Sequence, residues 1–257
     1  MKTHSLFSLL QKIQGRSTFQ MFHERVKNQW DDSKTIKERQ FSKLRDLLTY
    51  ANENVPYYHE LFKEREITLS QIDSASDFSA TIPLLHRSTL TSRINEFHSS
   101  SFNGRLIIHK TSGSSGEPLV FPRDNISIAA NWADIMLTRS WWNVSIGDST
   151  AEVWSIWFDP QKRLKSALQR AKASVKNFIF NQISLSAFKL NEREMDKFAE
   201  NIRKRKPMSI YGYASSLERF CDHLEEKNIN LELPESTVII PTAEPLYKHY
   251  TYAEPND

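Results

Sequence analysis

The stretch KTSGSSGEPLVF, residues 110–121, concentrates residues that could bind phosphate groups. Gly113 and Gly116 permit backbone angles that are closed to other residues, so successive N–H groups can point into one concavity. Further donors would come from four hydroxyl side chains, those of Thr111, Ser112, Ser114 and Ser115. Such a concavity suits a polyphosphate. The alternative is an ordinary hairpin loop, because Gly and Ser are common turn residues.

The flanks of this stretch decide which kind of phosphate loop it resembles. The runs GRLIIHK before it and PLVFPRD after it are both typical of strands, and a helical spacing of apolar residues follows. A Walker A loop requires Gly-Lys-Ser/Thr at the start of a helix, whereas here Gly116 is followed by Glu117, Pro118 and a strand. The Walker A class is therefore excluded, and the loop is predicted to join two strands.

Composition restricts the partners and the compartment. The 257 residues are 39% hydrophobic, which is enough to bury a core, and the net charge is only +3. Without a strongly basic field, a nucleic-acid partner is not expected. The single cysteine excludes an internal disulfide framework, and the N-terminal apolar run is too short for a signal peptide or a transmembrane segment. The expected location is the cytoplasm.

The rest of the chain predicts an α/β protein with a helical preface. Apolar residues recur at helical spacing between residues 20 and 66, with Pro56 as a stop signal. Later, VII at 238–240 indicates a buried strand and IY at 210–211 indicates another strand, and each is followed by a polar loop. We predict a helical N-terminal region over residues 1–80 and an α/β domain over residues 81–257.

Two loops that follow these strands are candidate ligand sites, because ligands of open α/β sheets gather at the carboxyl ends of strands. The first is TAEPL at 242–246, and the second is YGYASS at 211–216. For the first, the alternative is an ordinary strand-to-helix turn. In the second, Tyr213 could equally be a packing residue and Ser215 a helix N-cap.

Several ordered blocks resemble the adenylate-forming enzymes, in particular the phenylacetate:CoA ligase and CapK-type branch associated with capsular polysaccharide biosynthesis. They are YANENVPYYHELF, TSGSSGEPL, RSWWNVSIGD, KPMSIYGYASSLERFCDHL and VIIPTAEPL. The resemblance implies part of the large domain of that fold, with mixed sheets flanked by helices. It also implies activation of a small-molecule carboxylic acid as an acyl adenylate, with ATP and Mg²⁺, and transfer to a thiol such as coenzyme A.

The same resemblance assigns roles to individual residues. It places the nucleotide phosphates at the hydroxyl-rich loop, formed by Thr111, Ser112, Gly113, Ser114, Ser115, Gly116 and Glu117. It places the adenine base along Thr242, Ala243, Glu244 and Pro245, and the acid near Tyr213 and Ser215. Many members carry a lysine just after the proline of the phosphate loop, whereas Leu119 stands here. Mg²⁺ or a basic side chain such as Arg123 would then compensate the phosphate charge.

Motifs that the family carries after the adenine loop do not occur in this sequence. They include the acid that helps to hold magnesium and a small lid domain with a lysine. We therefore expect a truncated large domain without its lid, and the alternative function is an inactive remnant or a nucleotide-binding module. An uncovered edge at the strand VII is expected to promote self-association into a homo-oligomer.

Other conspicuous residues are interpreted as structural. Cys221 lies at helical spacing from Leu217 and Leu224, so we expect it in the core rather than in catalysis. Four tryptophans are expected either in the core or in the wall of the acid pocket: Trp141, Trp142, Trp154 and Trp157.

Overall fold

The computed structural model describes residues 2–111, 119–154 and 180–245. The chain forms two compact units. Residues 23–129 make up the first, called the hairpin unit below, and residues 1–22 with 130–257 make up the second, called the sheet unit. The predicted boundary at residue 80, between a helical region and an α/β domain, stays a prediction.

The first part of the chain is helical, as the apolar spacing predicts. Its helices are α1 (Lys2–Ile13), α2 (Thr18–Asn28), α3 (Ser33–Asn54), α4 (Pro56–Glu64), α5 (Ala75–Thr81) and α6 (Arg87–Ser92), with short 3₁₀ turns at Leu69–Gln71 and Ile94–Phe97. Asp32 caps α3 by accepting hydrogen bonds from the backbone N–H groups of Lys34 and Thr35, both at 3.0 Å. The run breaks at Val55, which is extended, and Pro56 then occupies the start of α4.

The hairpin unit contains one core and one β-hairpin. Its buried core residues are Leu48, Phe62, Ile67 and Ile72. The strands β1 (Ile107–Lys110) and β2 (Val120–Arg123) pair antiparallel, with Lys110 opposite Val120. The two strands predicted around the hydroxyl-rich loop are therefore confirmed.

The sheet unit is built on four parallel strands. Along the chain these are β3 (Thr150–Trp154), β4 (Gln182–Ser186), β5 (Ser209–Tyr213) and β6 (Val238–Thr242), and their order in the sheet is β4-β3-β5-β6. Helices α7 (Asn125–Ser140), α8 (Glu192–Arg205) and α9 (Ala214–Glu226) accompany them. One parallel sheet and one antiparallel pair, both with helices, confirm the predicted mixed α/β class.

Alternation along the strands separates an apolar from a polar face of this sheet. The apolar face carries Ala151, Val153, Ile183, Leu185 and Ile210, and it packs on buried residues of α8 and α9: Met195, Phe198, Ile202, Leu217 and Phe220. Fully burying one such large side chain contributes roughly 1.5–3 kcal/mol. This core fixes the sheet against the two helices and leaves the opposite face for polar side chains.

A second cluster attaches the N-terminal helix to the sheet unit. Phe7 of α1 is 2% exposed and makes edge contacts with Trp132 of α7 and with Phe180, at ring-centroid distances of 5.4 and 5.7 Å. Trp132 and Phe180 stack on each other at 5.2 Å. Residues 2–13 therefore belong with the sheet, which the sequence pattern did not indicate.

Strand β6 ends the described sheet and is only half-buried. The sequence predicted a buried strand, yet no residue of β6 is buried and Ile239 is 58% exposed. The reason is that β6 has a strand neighbour, β5, on one side only within the described residues. Self-association through this edge remains a prediction.

Among the described residues, none of the helices combines the length and the hydrophobicity that a membrane span requires.

The backbone of β3 leaves no room for a side chain at Gly212 of β5. A Cβ atom at this position would lie 2.5 Å from the backbone oxygen of Val153, its partner on β3. Because that oxygen belongs to a strand backbone, Gly212→Ala must push β5 away from β3, and we expect it to destabilise the protein by about 1–3 kcal/mol. Urea denaturation followed by circular dichroism measures the change.

Gly104→Ala is the matched control. A Cβ atom there would also overlap a neighbour, but the neighbour is the terminal part of the Phe102 side chain, which can rotate away. The expected change for the control is within about 0.5 kcal/mol. Equal effects of the two substitutions would show that the approach of β5 to β3 is not constrained by Gly212.

Candidate functional site

The order of the parallel strands places a topological switch point at the carboxyl ends of β3 and β5. In the sheet, β4 lies beside β3 towards one edge and β6 lies beside β5 towards the other edge, so the strand order reverses direction between β3 and β5. Open α/β sheets bind ligands outside such a switch point. Trp154 and Tyr213 end these two strands, and their rings stack at 4.5 Å with an angle of 5° between the planes.

The structure brings together the two loops that the sequence singled out after strands. Tyr213 pairs with Thr242 in the parallel register of β5 and β6, so both loops begin at the same edge of the sheet. The backbone N–H of Ser215 then donates a hydrogen bond of 2.8 Å to Oε2 of Glu244. Tyr213 is the N-cap residue of α9 but makes no side-chain capping bond. The Glu244 carboxylate therefore supplies the acceptor that this helix end lacks.

Ala243 adopts a strained backbone conformation within the same loop. Its φ angle is +64°, a value that costs a residue with a Cβ atom roughly 1–2 kcal/mol. Thr242 before it is half-buried, whereas Ala243, Glu244 and Pro245 are exposed. Strained residues cluster at ligand sites, where the surrounding structure fixes them. The geometry is compatible with the predicted adenine-side role of residues 242–245, which remains a prediction.

The hydroxyl-rich loop lies only partly within the described residues. Ser112, Gly113, Ser114, Ser115, Gly116 and Glu117 fall outside them. Thr111 is described, and it closes the hairpin. Its N–H donates to the Leu119 oxygen at 3.0 Å, and its Oγ1 accepts from the Leu119 N–H at 2.9 Å. The loop is therefore held at its base by the pair Thr111 and Leu119, and its role in phosphate binding remains a prediction.

Arg123, the basic side chain considered for charge compensation, lies at the end of β2. Its Nη2 donates to the Ser127 oxygen at 2.6 Å, and its Nε donates to the Ser127 hydroxyl at 3.3 Å. No ion pair joins Arg123 to a carboxylate within the described ranges. Its charge is therefore not neutralised by an acid there.

Sequence reasoning missed a polar cluster on the polar face of the sheet, beneath α7. The Tyr211 hydroxyl donates to Oε2 of Glu152 and accepts from Nε2 of Gln182 at 2.8 Å, while the Ser184 hydroxyl donates to Oε1 of Glu152 at 2.6 Å. Burial, and then the charge of Glu152, raises the pKa of Tyr211 well above its usual range. The available signal was the placement of polar residues at alternate positions of strands whose other residues are apolar.

A cavity of about 90 Å³ adjoins this cluster. Among the side chains that line it are Trp132, Arg139, Glu152, Gln182 and Tyr211. The guanidinium carbon of Arg139 lies 5.0 Å from the centroid of the Tyr211 ring, so a cation covers one face of that ring. Glu152 and Arg139 thus border the same small space with opposite charges.

The expected core position of Cys221 is wrong, and so is a core position for Trp141 and Trp142, whereas a place in the wall of the acid pocket stays a prediction for the tryptophans. Cys221 is exposed, because the inner stripe of α9 follows Leu217, Phe220 and Leu224 and leaves position 221 at its border. Trp141 and Trp142 are 53% and 59% exposed rather than in a core. Trp154 is half-buried at the end of β3, and Trp157 lies outside the described residues. In the part of the chain that the structure describes, no cluster of His, Cys, Asp and Glu could hold a metal ion.

The bond between Glu244 and Ser215 can be tested directly. Glu244→Ala removes the acceptor at the start of α9, so we expect faster hydrogen exchange at the Ser215 amide and a loss of about 0.5–1 kcal/mol in the free energy of unfolding. Glu244→Gln retains an acceptor oxygen and should lose less. Glu235→Ala, at an exposed glutamate outside the loop, is the control. Unchanged exchange at Ser215 in Glu244→Ala would contradict the coupling of the two loops.

Comparison with known proteins gives distant relatives. No family model matches the chain. Protein CapK of Staphylococcus aureus is 22% identical over 209 residues, which cover 81% of this chain and 44% of CapK. The chain thus spans less than half the length of this relative.

Solved structures of 2-hydroxyisobutyryl-CoA ligase share the fold. One, in complex with 2-HIB-AMP and CoA in the thioesterification state, matches with a TM-score of 0.57 at 17% identity, over 81% of this chain and 44% of the ligase chain. Another, in the postadenylation state with 2-HIB-AMP, matches with a TM-score of 0.53 at 18% identity, over 77% of this chain and 41% of the ligase chain. The helical preface followed by part of an adenylate-forming large domain is thereby confirmed. The chain is a distant homologue of Protein CapK and has the fold of part of an adenylate-forming ligase.

Proposed function

We propose that the protein to which this chain belongs activates a carboxylic acid as an acyl adenylate at the expense of ATP and transfers the acyl group to coenzyme A or another acceptor. The observation that carries the proposal is the hydrogen bond between Glu244 and Ser215 beside the switch point of the sheet. It joins the proposed adenine-side and acid-side loops at one edge. Of the ligase structures that share this fold, one holds 2-HIB-AMP and CoA and another holds 2-HIB-AMP.

The proposed chemistry uses each loop for one part of the substrates. The carboxylate attacks the α-phosphorus of ATP, pyrophosphate leaves, and an acyl adenylate remains. Residues 111–117 would hold the β- and γ-phosphates through N–H and O–H donors, and Mg²⁺ together with Arg123 would offset their charge. Residues 242–245 would lie along the adenine base, and Tyr213 with Ser215 would border the acid. Holding the two reactants in line is then the main catalytic contribution.

A second function deserves a test because the chain covers only 44% of the ligase chain that it matches. In this case the chain binds a nucleotide at the same loops but does not complete the reaction.

The distant homology to Protein CapK supports, also as a proposal, a role in capsular polysaccharide biosynthesis. We place the protein in the cytoplasm, where ATP and coenzyme A are supplied.

Nucleotide binding is expected to stabilise the chain measurably. ATP with Mg²⁺ at ten times its dissociation constant contributes about 1.4 kcal/mol. This corresponds to a rise of roughly 3–6 °C in the melting temperature of a domain of this size. The double variant Ser114→Ala with Gly116→Val should abolish the rise, because it removes a donor and restricts the loop backbone.

The control for this experiment is Ser88→Ala, at an exposed serine of α6. It should leave the ATP-dependent rise unchanged. A full rise in the double variant would place the phosphate site outside residues 111–117. Differential scanning calorimetry measures the ATP-dependent rise in melting temperature of the double variant and of the control.

Exchange of labelled pyrophosphate into ATP separates the two candidate functions. Exchange that depends on an added carboxylic acid requires reversible formation of an acyl adenylate, so it supports the ligase for this chain itself. A rise in melting temperature without exchange, across aryl and aliphatic acids, supports the nucleotide-binding module. The absence of both pyrophosphate exchange and ATP-dependent stabilisation would contradict both functions.

A further inference from the structure

We propose that the cavity beside Glu152 and Arg139 selects the tail of the acid, and that it takes a tail ending in a neutral hydrogen-bonding group, a carboxamide or a hydroxyl. This inference rests on the proposed function, because it assumes that the carboxylate of the acid lies at the carboxyl edge of the sheet. It adds a substrate class that the fold alone does not specify.

The cavity lies at a defined depth along the sheet. Side chains two positions apart on a strand share a face and lie roughly 6.6 Å apart along it. Glu152 therefore stands one such step behind Trp154, and Tyr211 one step behind Tyr213. The rings of Trp154 and Tyr211 are neighbours, with centroids 6.1 Å apart. The separation between the stacked rings and the Glu152 cluster is therefore one that an extended hydrocarbon chain of about four or five bonds spans.

The size of the cavity suits a small functional group. Its volume is about 90 Å³. A single water needs roughly 10–15 Å³ by the same measure. The cavity thus has room for a group of several atoms, such as a terminal carboxamide.

Unused donors and acceptors define the chemistry of that group. In the described residues no oxygen accepts a hydrogen bond from the Arg139 guanidinium, whose described contact is with the Tyr211 ring. Gln182 donates a hydrogen bond from Nε2 to the Tyr211 hydroxyl, and its Oε1 accepts none from the described residues. Glu152 accepts one hydrogen bond on each oxygen and can accept more.

A neutral group that both donates and accepts satisfies this lining best. The oxygen of a carboxamide can accept from Arg139, and its N–H groups can donate to Gln182 and Glu152. A cationic tail would be repelled by the positive charge of Arg139, and an anionic tail would be repelled by the negative charge of Glu152. A hydrocarbon tail would remove water from these groups without replacing its hydrogen bonds, which disfavours it.

The test uses three stable mimics of the acyl adenylate, the 5′-O-(N-acylsulfamoyl)adenosines. Their acyl groups are 6-amino-6-oxohexanoyl, 6-hydroxyhexanoyl and heptanoyl, which differ only at the end of the tail. Isothermal titration calorimetry of the chain gives the three dissociation constants. We expect each polar tail to bind at least about ten-fold more tightly than heptanoyl, because a site built to hydrogen-bond discriminates against analogues that lack the partner.

The possible failures are distinguishable. Equal binding of the three compounds, or tighter binding of heptanoyl, overturns this inference and leaves the proposed function intact. Binding of none of them, together with no binding of AMP, overturns the proposed function and this inference with it.

Variants of the cavity provide a second, independent readout. Arg139→Met keeps most of the apolar stem and removes the donors, so the preference for the carboxamide over heptanoyl should fall below about three-fold. Gln182→Leu is the second variant, in case the first does not fold, and should reduce the same ratio. Arg219→Met, at an exposed arginine of α9, is the matched control and should leave the ratio unchanged. An unaltered ratio in both cavity variants would contradict the assignment.

Discussion

The parallel pairing of β3 with β5 is the constraint on which the candidate site depends. A Cβ atom at Gly212 would lie 2.5 Å from the backbone oxygen of Val153. The two strands can therefore pair at their present distance only with a glycine at this position. One residue later the strands end in Tyr213 and Trp154, whose rings stack. The switch point lies here because β4 pairs with β3 towards one edge of the sheet and β6 pairs with β5 towards the other.

The neighbouring loops depend on this arrangement in turn. Parallel register brings Thr242 beside Tyr213, and Glu244 can then reach the first turn of α9. A carboxylate at that position satisfies a backbone N–H and complements the positive end of the helix. It also fixes a loop that contains a strained residue, Ala243. The loop geometry is thus maintained by a contact 29 residues away in the sequence.

The polar face of the sheet is unusual because a sheet of parallel strands is ordinarily apolar on both faces. Glu152 stands near the middle of the described sheet, and hydrogen bonds from Tyr211 and Ser184 compensate its partial burial. A hydrocarbon side chain would fill the same position without this network. A retained charge beside an open cavity and an arginine is a reason to look for a ligand there.

The sequence by itself determined the element types and the candidate loops. Strand and helix patterns are local, so β1, β2, β5 and the long helices could be predicted from residue spacing, and glycine, serine and proline marked the loop after β1. It could not determine which loops meet, because the bond between Glu244 and Ser215 depends on the order of strands in the sheet. It also predicted Cys221 and β6 as buried, whereas Cys221 is exposed at the border of the inner stripe of α9 and β6 is half-buried, since burial depends on what covers a residue. Only the tertiary structure assembled the Glu152 cluster, because its members come from three strands and converge through register alone.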